Sequence, residues 1–232
     1  MSQTKAQLIA ADATFTISSD ASFNSVTVGK GANSVANNTV LGAGALDAAV
    51  TGNNNLAVGK DALTSHTSGS NVTAVGAFAL DANTTASNNS AFGYGSLTSN
   101  TTGTQLTAVG VNALSSNTTG NYNIATGHAA LSSNTTGQFN CAFGRVALTN
   151  NVTGNYNNAF GDSALETNTG SNNSAFGYQA LEANTSASNN VAVGYQALKA
   201  NTTGHTNVAV GVNALDANTT GNFNFALGKD AL

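Results

Sequence analysis

The sequence contains no proline and no tryptophan, a single cysteine, and few charged residues, 7% of the total. Its six Lys and Arg residues are scattered, so no basic stripe exists that could follow a phosphate backbone, and we expect no nucleic-acid binding. Cys141 has no second cysteine with which to form a disulfide. The apolar runs are only a few residues long, so we expect no membrane insertion. Residues 1–5 lack the apolar core of a signal peptide.

The low charge does not indicate disorder. Disordered segments combine low hydrophobicity with high net charge or a proline-rich bias. Here 41% of the 232 residues are hydrophobic, the net charge is −4, and the apolar residues recur on a strict period. These features favour an ordered repeat.

A glycine recurs every 17 residues, with one interval of 16, and a leucine follows each of these glycines by four positions. The glycines form the glycine column: Gly42, Gly59, Gly76, Gly93, Gly110, Gly127, Gly144, Gly161, Gly177, Gly194, Gly211 and Gly228. Alanine precedes nearly every leucine and stands two places before nearly every glycine. A Val or Phe usually stands directly before the glycine, and an Asn four places before it. Most coils are joined by a polar turn such as Asn-Thr-Thr-Gly at residues 117–120.

This period predicts an all-β fold, a parallel β-solenoid or β-roll of about 12 coils. A 17-residue unit is too short for the helix pairs of helical repeats, but it can trace two short strands and two turns. Stacked coils would hydrogen-bond to their neighbours and align identical residues. We expect the Val/Phe positions to share an apolar spine with the leucines, the Asn amides to stack on one another, and the glycine to allow a bend. The predicted core leucines are Leu63, Leu80, Leu97, Leu114, Leu131, Leu148, Leu165, Leu181, Leu198 and Leu215.

Residues 1–23 do not fit the repeat, which we assign to residues 24–232. Phe15 and Ile17 would lie on one face of a strand. We expect this segment to cap the first coil, join a neighbouring subunit or attach to a larger particle. The sequence ends on a complete repeat motif, so we expect the protein either to continue past Leu232 or to have that end covered by another chain. If residues 1–23 covered it, head-to-tail filaments would form.

No residue pattern indicates catalysis, and we expect a protein that is not an enzyme and has no cofactor or metal. Asp162 and Glu166 share a coil and Glu182 follows one coil later, but solvated turn charges explain all three. The three histidines have no metal-ligand spacing, and no Gly-x-Ser-x-Gly elbow occurs. Twelve Asn-x-Ser/Thr sequons arise from the repeating turns, and their glycosylation is left open.

Binding is the activity that the pattern favours. The two positions after each glycine vary, which is typical of outward-facing sites on a fixed scaffold. Tyr178 and Tyr195 would stack on consecutive coils beside Gln179 and Gln196, a combination suited to sugar rings, and Tyr94 is a further candidate. A solvent-facing ladder without a ligand is the alternative. The position three before each glycine mixes apolar and polar residues, which predicts partial burial and a subunit contact.

Residues 190–194 (Asn-Val-Ala-Val-Gly), 207–211 and 173–177 (Asn-Ser-Ala-Phe-Gly) resemble the Asn-Ser-Val-Ala-Ile-Gly repeat of trimeric autotransporter adhesin heads. The resemblance covers about residues 24–232. It implies a left-handed β-roll, three chains side by side, and binding to extracellular surfaces. The usual family unit is shorter than this one, and we expect no stalk or membrane anchor. The longer unit and the opening residues 1–9 look like those of bacteriophage fibre proteins, which implies a virion fibre or an extracellular appendage as the location.

We therefore expect a structural or adhesive fibre segment that attaches to host surfaces, with copies of itself and host-surface glycans as partners. One alternative is an ice-binding solenoid, since regular threonines can order water, although adjacent Thr118 and Thr119 would point oppositely on a strand. The other alternative is a carbohydrate-processing phage spike.

Overall fold

The computed structural model describes residues 20–232 as a single sheet of fourteen short strands. Phe15 and Ile17 lie outside the described residues, so subunit joining through them stays a prediction. The strands are β1 (Ala21–Phe23), β2 (Val26–Gly29), β3 (Thr39–Gly42), β4 (Leu56–Val58), β5 (Thr73–Val75), β6 (Ser90–Phe92), β7 (Thr107–Val109), β8 (Ile124–Thr126), β9 (Cys141–Phe143), β10 (Asn158–Phe160), β11 (Ser174–Phe176), β12 (Val191–Val193), β13 (Val208–Val210) and β14 (Phe225–Leu227). A short 3-10 helix spans Ala32–Ser34, and residues 20–232 contain no α-helix.

The strands lie side by side in chain order. Strands β1, β2 and β3 pair antiparallel, so a hairpin of the same chain covers the first edge of the repeat. Strands β3 to β14 pair parallel and in register, each with its equivalent one coil later. The predicted parallel β-solenoid is therefore confirmed, with about eleven turns. The 16-residue coil keeps the register, with Asn158 opposite Ser174, because the missing residue is lost from the turn.

Each coil contains one three-residue strand, whereas the sequence suggested two. The remainder of the coil is a chain of turns whose backbone repeatedly enters the left-handed region, at Phe139 (φ 57°), Val146 (φ 51°) and Leu148 (φ 54°) in the coil of Gly144. These turns bend the chain back on itself more tightly than a second extended strand would. Their N–H groups still bond to the next coil, as Leu131 does to the Ala147 carbonyl (3.0 Å).

Small and branched side chains fill the interior. In each of β4 to β14 the middle alanine faces inward and the two flanking residues face outward. The ten predicted core leucines are all buried. A buried alanine directly precedes each of them except Leu97, which follows the buried Ser96. The Val/Phe positions are different. The sequence placed them in the spine. In the structure each directly follows the inward-facing alanine of its strand, so strand alternation turns it to the outside of the sheet.

The leucine column has an unexpected backbone. From Leu46 to Leu215 every member has a positive φ, between 48° and 55°. A side chain in the left-handed region costs roughly 1–2 kcal/mol. Complete burial of a leucine yields about 1.5–3 kcal/mol, so burial offsets the strain. The turn aims the side chain at the interior, and leucine is kept there for its volume despite its conformation.

The glycine column is required by close packing between coils. From Gly59 to Gly211 these glycines have φ between 132° and 143°, a region that L-residues with a side chain rarely adopt. A Cβ on Gly144 would overlap the carbonyl of Gly161 in the next coil. The absent side chain thus lets successive coils stack at strand spacing.

Candidate functional site

An apolar stripe runs along the outer face of the sheet. The outer stripe consists of the residues directly before the glycine column: Val58, Val75, Phe92, Val109, Thr126, Phe143, Phe160, Phe176, Val193 and Val210. Phe143, Phe160 and Phe176 stack on consecutive coils with ring centroids 4.9 and 5.0 Å apart. Phe92, Phe176 and Val193 remain 38–43% exposed. Large apolar patches on a soluble surface usually mark an interaction site.

The mixed column beside the stripe is partly buried. Ile124 and Val191 are just exposed, and Cys141 between them in the column is half-buried. Burial raises the pKa of the Cys141 thiol, so less thiolate forms at a given pH. Its apolar members, such as Ile124 and Val191, widen the apolar surface of the outer stripe, whereas its polar members, such as Thr73, Ser90 and Asn158, interrupt it.

The structure brings four of the five predicted ligand-binding residues together. Tyr178 and Tyr195 stack with centroids 5.4 Å apart and ring planes 16° apart, and each is nearly half exposed. Gln179 and Gln196 follow them in the left-handed region, which the sequence did not indicate. The two tyrosines cover each other's inner ring faces, so their ring edges are what the pair presents outward.

The glutamine amides in this patch are already bonded. The Gln196 Nε2 donates to Gln179 Oε1 (2.7 Å), and the Gln179 Nε2 donates to Glu182 Oε1 (2.9 Å). Lys199 Nζ donates to the same Gln179 oxygen (2.9 Å) and lies 3.5 Å from the Glu182 carboxylate. A ligand would therefore meet a connected polar network beside the tyrosine pair rather than free amides.

Tyr94 lies apart from this patch. It occupies the equivalent position five coils earlier, about 24 Å away at roughly 4.8 Å per coil. Its ring packs edge-on against Phe78 (5.7 Å, 84°). Another aromatic stack, of Tyr122, Phe139 and Tyr156, lies in the turn before the strand with centroids 4.7 and 5.0 Å apart.

The asparagines form two different arrangements. The sequence suggested that the asparagines four places before the glycine stack on one another. In the structure their side chains chiefly hydrogen-bond to backbone groups of the next coil. Asn123 Oδ1 accepts from the Asn140 N–H (2.9 Å) and its Nδ2 donates to the Gly137 carbonyl (2.7 Å). The amide-to-amide stack lies instead at the first Asn of the Asn-Thr-Thr-Gly turn, where Asn117 Nδ2 donates to Asn100 Oδ1 (2.9 Å).

We call this second set the amide ladder. Its members are Asn83, Asn100, Asn117, Asn134, Asn151, Asn168, Asn184, Asn201 and Asn218. All except the half-buried Asn218 are fully buried. Eight of the nine are sequon asparagines, and the seven buried ones among these bond to adjacent coils and present no amide to a glycosylating enzyme. The sequon asparagines on the surface are Asn37, Asn71, Asn88 and Asn172.

The turn threonines also divide into two roles. Thr118 Oγ1 donates to the Thr135 carbonyl of the next coil (3.1 Å), and the side chain is half-buried. Thr119 is exposed. Thr85, Thr102, Thr136 and Thr203 are exposed in the same way. These turns therefore leave one outward threonine each, a single file rather than the broad flat array that ice binding would use.

Two of the three carboxylates that the sequence singled out, Asp162 and Glu182, lie in surface ion pairs. Arg145 Nε and Nη2 donate to the Asp162 carboxylate (2.9 and 3.0 Å). Lys199 Nζ lies 3.5 Å from the Glu182 carboxylate, which also accepts from Gln179 Nε2 (2.9 Å). Over residues 20–232, no three His, Cys, Asp or Glu side chains are grouped closely enough to hold a metal ion. In the same range no helix is long and apolar enough to cross a membrane.

No family model, no curated protein and no solved structure matches this chain.

Proposed function

We propose that this chain is a rod segment of a self-associating fibre, of the phage tail-fibre or surface-appendage type, which presents a repetitive β-surface for host attachment. Its location would be a virion fibre or an extracellular appendage. The outer stripe carries the proposal: one face of a long in-register sheet remains apolar and partly exposed along most of the rod.

Covering the outer stripe would be favourable. A phenylalanine buries about 150–250 Å², so the 40% of Phe176 that is still exposed corresponds to about 2 kcal/mol at 25 cal/mol per Å². Three further phenylalanines and five valines lie in the same stripe. Their sum is comparable with the 4–15 kcal/mol that association costs in lost motion. A second copy of this chain offers a matching stripe with the same repeat.

The resemblance to adhesin heads supplies the symmetry. It implies three parallel copies side by side, each with its outer stripe turned towards the others, in a left-handed roll. Tyr94, Tyr178 and Tyr195 lie one residue beyond the glycines and would flank such an interface. They would then present ring edges and hydroxyls to host-surface glycans.

Oligomeric state tests the first part of the proposal. We expect a trimer by light scattering at micromolar concentration, and a monomer of unchanged circular dichroism for the double variant Phe176→Glu, Val193→Glu. The matched control is Tyr178→Glu, Tyr195→Glu, which charges equally exposed residues of the same two coils outside the stripe and should stay trimeric. A wild-type protein that is monomeric at 50 micromolar or above would refute self-association through the stripe.

Glycan binding tests attachment separately. We expect wild-type protein to bind a subset of an immobilised glycan array, and Tyr178→Ala, Tyr195→Ala to lose that binding while its oligomeric state is unchanged. Tyr122→Ala, Tyr156→Ala removes a comparable exposed stack elsewhere and serves as the control. Equal loss of binding in both variants, or no binding by the wild type, would refute glycan binding by the tyrosine pair. The proposal of a self-associating rod would stand.

A further inference from the structure

One histidine occupies the amide-ladder position. His66 lies where the following coils have Asn83, Asn100 and their equivalents, and its side chain is completely buried. The sequence showed it only as a histidine without metal-ligand spacing. The two other histidines, His128 and His205, are exposed.

The amide ladder has one polarity from end to end. Each Nδ2 donates to the Oδ1 of the preceding coil, as Asn100 does to Asn83 (3.0 Å), and the direction holds through to Asn218 and Asn201 (3.0 Å). At the first member, Asn83 Nδ2 reaches His66 Nδ1 at 2.8 Å. His66 is thus the acceptor on which the ladder ends.

The second ring nitrogen fixes the tautomer. His66 Nε2 lies 2.8 Å from the Gly69 carbonyl, an acceptor, so this nitrogen carries the hydrogen. Nδ1 is then the unprotonated nitrogen that accepts from Asn83. Both contacts are satisfied only by the neutral ring.

A protonated ring cannot be accommodated by turning one amide. The imidazolium donates from both nitrogens, so its Nδ1–H would face the Asn83 NH₂. Rotating Asn83 by 180° would set its NH₂ against the Asn100 NH₂ and remove its bond to the Ala86 carbonyl (3.1 Å). Relief would require reversal of the whole ladder.

Among residues 20–232, no charged side chain bonds to the imidazole to compensate the cation. The titratable side chains of this coil and its two neighbours are Asp47, Lys60, Asp61 and Asp81. Lys60 pairs with Asp61, Asp47 is exposed, and none of the four bonds to the imidazole. In the hairpin that adjoins the first coils, Asp20 accepts from the backbone N–H groups of Lys30 and Gly31. Burial accordingly lowers the pKa of His66.

We propose that His66 is an acid-sensitive end stop of the amide ladder, whose protonation opens the first coils of the rod while later coils stay stacked. The later coils have asparagine at this position and do not titrate there. In the open state the ring is exposed to water, so it can be protonated without its Nδ1–H facing the Asn83 NH₂.

The direction of the pH effect follows from linkage. The open state binds the proton below the ordinary histidine value of about 6.5, whereas the closed state resists it. Above pH 6.5 the ring is unprotonated in both states, so the opening constant does not change with pH. As the pH falls below 6.5, the opening constant rises by up to tenfold per pH unit until the closed-state pKa is reached.

Amide hydrogen exchange on the full chain between pH 7.5 and 5.0 tests this, after correction for the intrinsic pH dependence of exchange. We expect protection at residues 56–75 to fall with acid in the wild type, and coils beyond residue 100 to change little. His66→Asn restores the ladder residue and should abolish the acid effect, whereas His128→Asn should leave it. The same acid effect in His66→Asn would overturn the proposal.

A second measurement holds even if His66→Asn folds poorly. In wild-type protein, ¹⁵N chemical shifts of the imidazole should report the Nε2–H tautomer at pH 7. They should also show a titration midpoint for His66 below the ordinary histidine value of about 6.5. An ordinary midpoint near 6.5, or an Nδ1–H tautomer, would refute the end-stop role.

Discussion

Leucine in a left-handed turn gives an unusual expectation for substitutions at Leu131. Its side chain is fully buried, its φ is 51°, and Leu114 and Leu148 occupy the same position in the adjacent coils. Leu131→Ala removes a buried isopropyl group and should cost about 2–5 kcal/mol, with the larger values for a cavity that does not collapse. Further truncation to Gly should then behave unlike a normal Ala-to-Gly change.

At an ordinary site glycine is about 0.5–1 kcal/mol worse than alanine because of its chain entropy. At φ 51° the alanine Cβ instead costs about 1–2 kcal/mol, which glycine avoids. The two terms nearly cancel or favour glycine, so Leu131→Gly should be equal to Leu131→Ala or up to about 1 kcal/mol more stable. Ala142, buried in strand β9, provides the control, since Ala142→Gly should show a clear loss.

Native-state hydrogen exchange is the suitable assay, because a repeat protein need not unfold as a single unit. The Leu131 N–H donates to the Ala147 carbonyl (3.0 Å), so its protection reports the contact between these two coils. If Leu131→Gly proved less stable than Leu131→Ala by the usual 1 kcal/mol, the conformational argument for the whole leucine column would be wrong.

Two further predictions concern the contacts between coils. Gly144→Ala should cost at least about 3 kcal/mol, because its Cβ meets the Gly161 carbonyl at a φ that only glycine adopts readily. Exposed Arg145→Ala should change stability by less than about 1 kcal/mol. Native-state hydrogen exchange measures both. Asn117→Ala should cost about 3 kcal/mol or more in the same assay, since buried partners in both adjacent coils lose a bond worth about 1–3 kcal/mol each, while exposed Thr119→Ala should be nearly neutral. Equal effects for Asn117→Ala and Thr119→Ala would show that the amide ladder does not stabilise the contacts between coils.

Much of the candidate site was visible in the sequence because the repeat turns chain position into spatial position. Residues 17 apart are neighbours, so Tyr178 and Tyr195 could be paired without a structure. The bonds of Gln179 were not visible, because they depend on where Glu182 of the same coil and Lys199 of the next coil point. The isolation of Tyr94 followed from counting coils.

The two asparagine columns show where the sequence signal ended. Both recur at the same period, and periodicity cannot tell which one bonds side chain to side chain and which one bonds the backbone. The choice depends on the facing group: Asn123 faces the Gly137 carbonyl of the next turn, and Asn117 faces Asn100. The buried environment of His66 was hidden for the same reason, since only its column in the folded coil makes it a ladder member.

The sequence by itself determined that the coils stack in register, because a residue set repeated every 17 positions can bury its leucines and satisfy its backbone only against copies of itself. Only the tertiary structure decided which side of the strand faces water. The chain passes through left-handed turns at Val146 and Leu148, and this tight return brings alanine and leucine together inside a narrow coil. No space remains there for Phe143 or Phe160, which is why the bulkiest apolar residues of the strands lie on the outside.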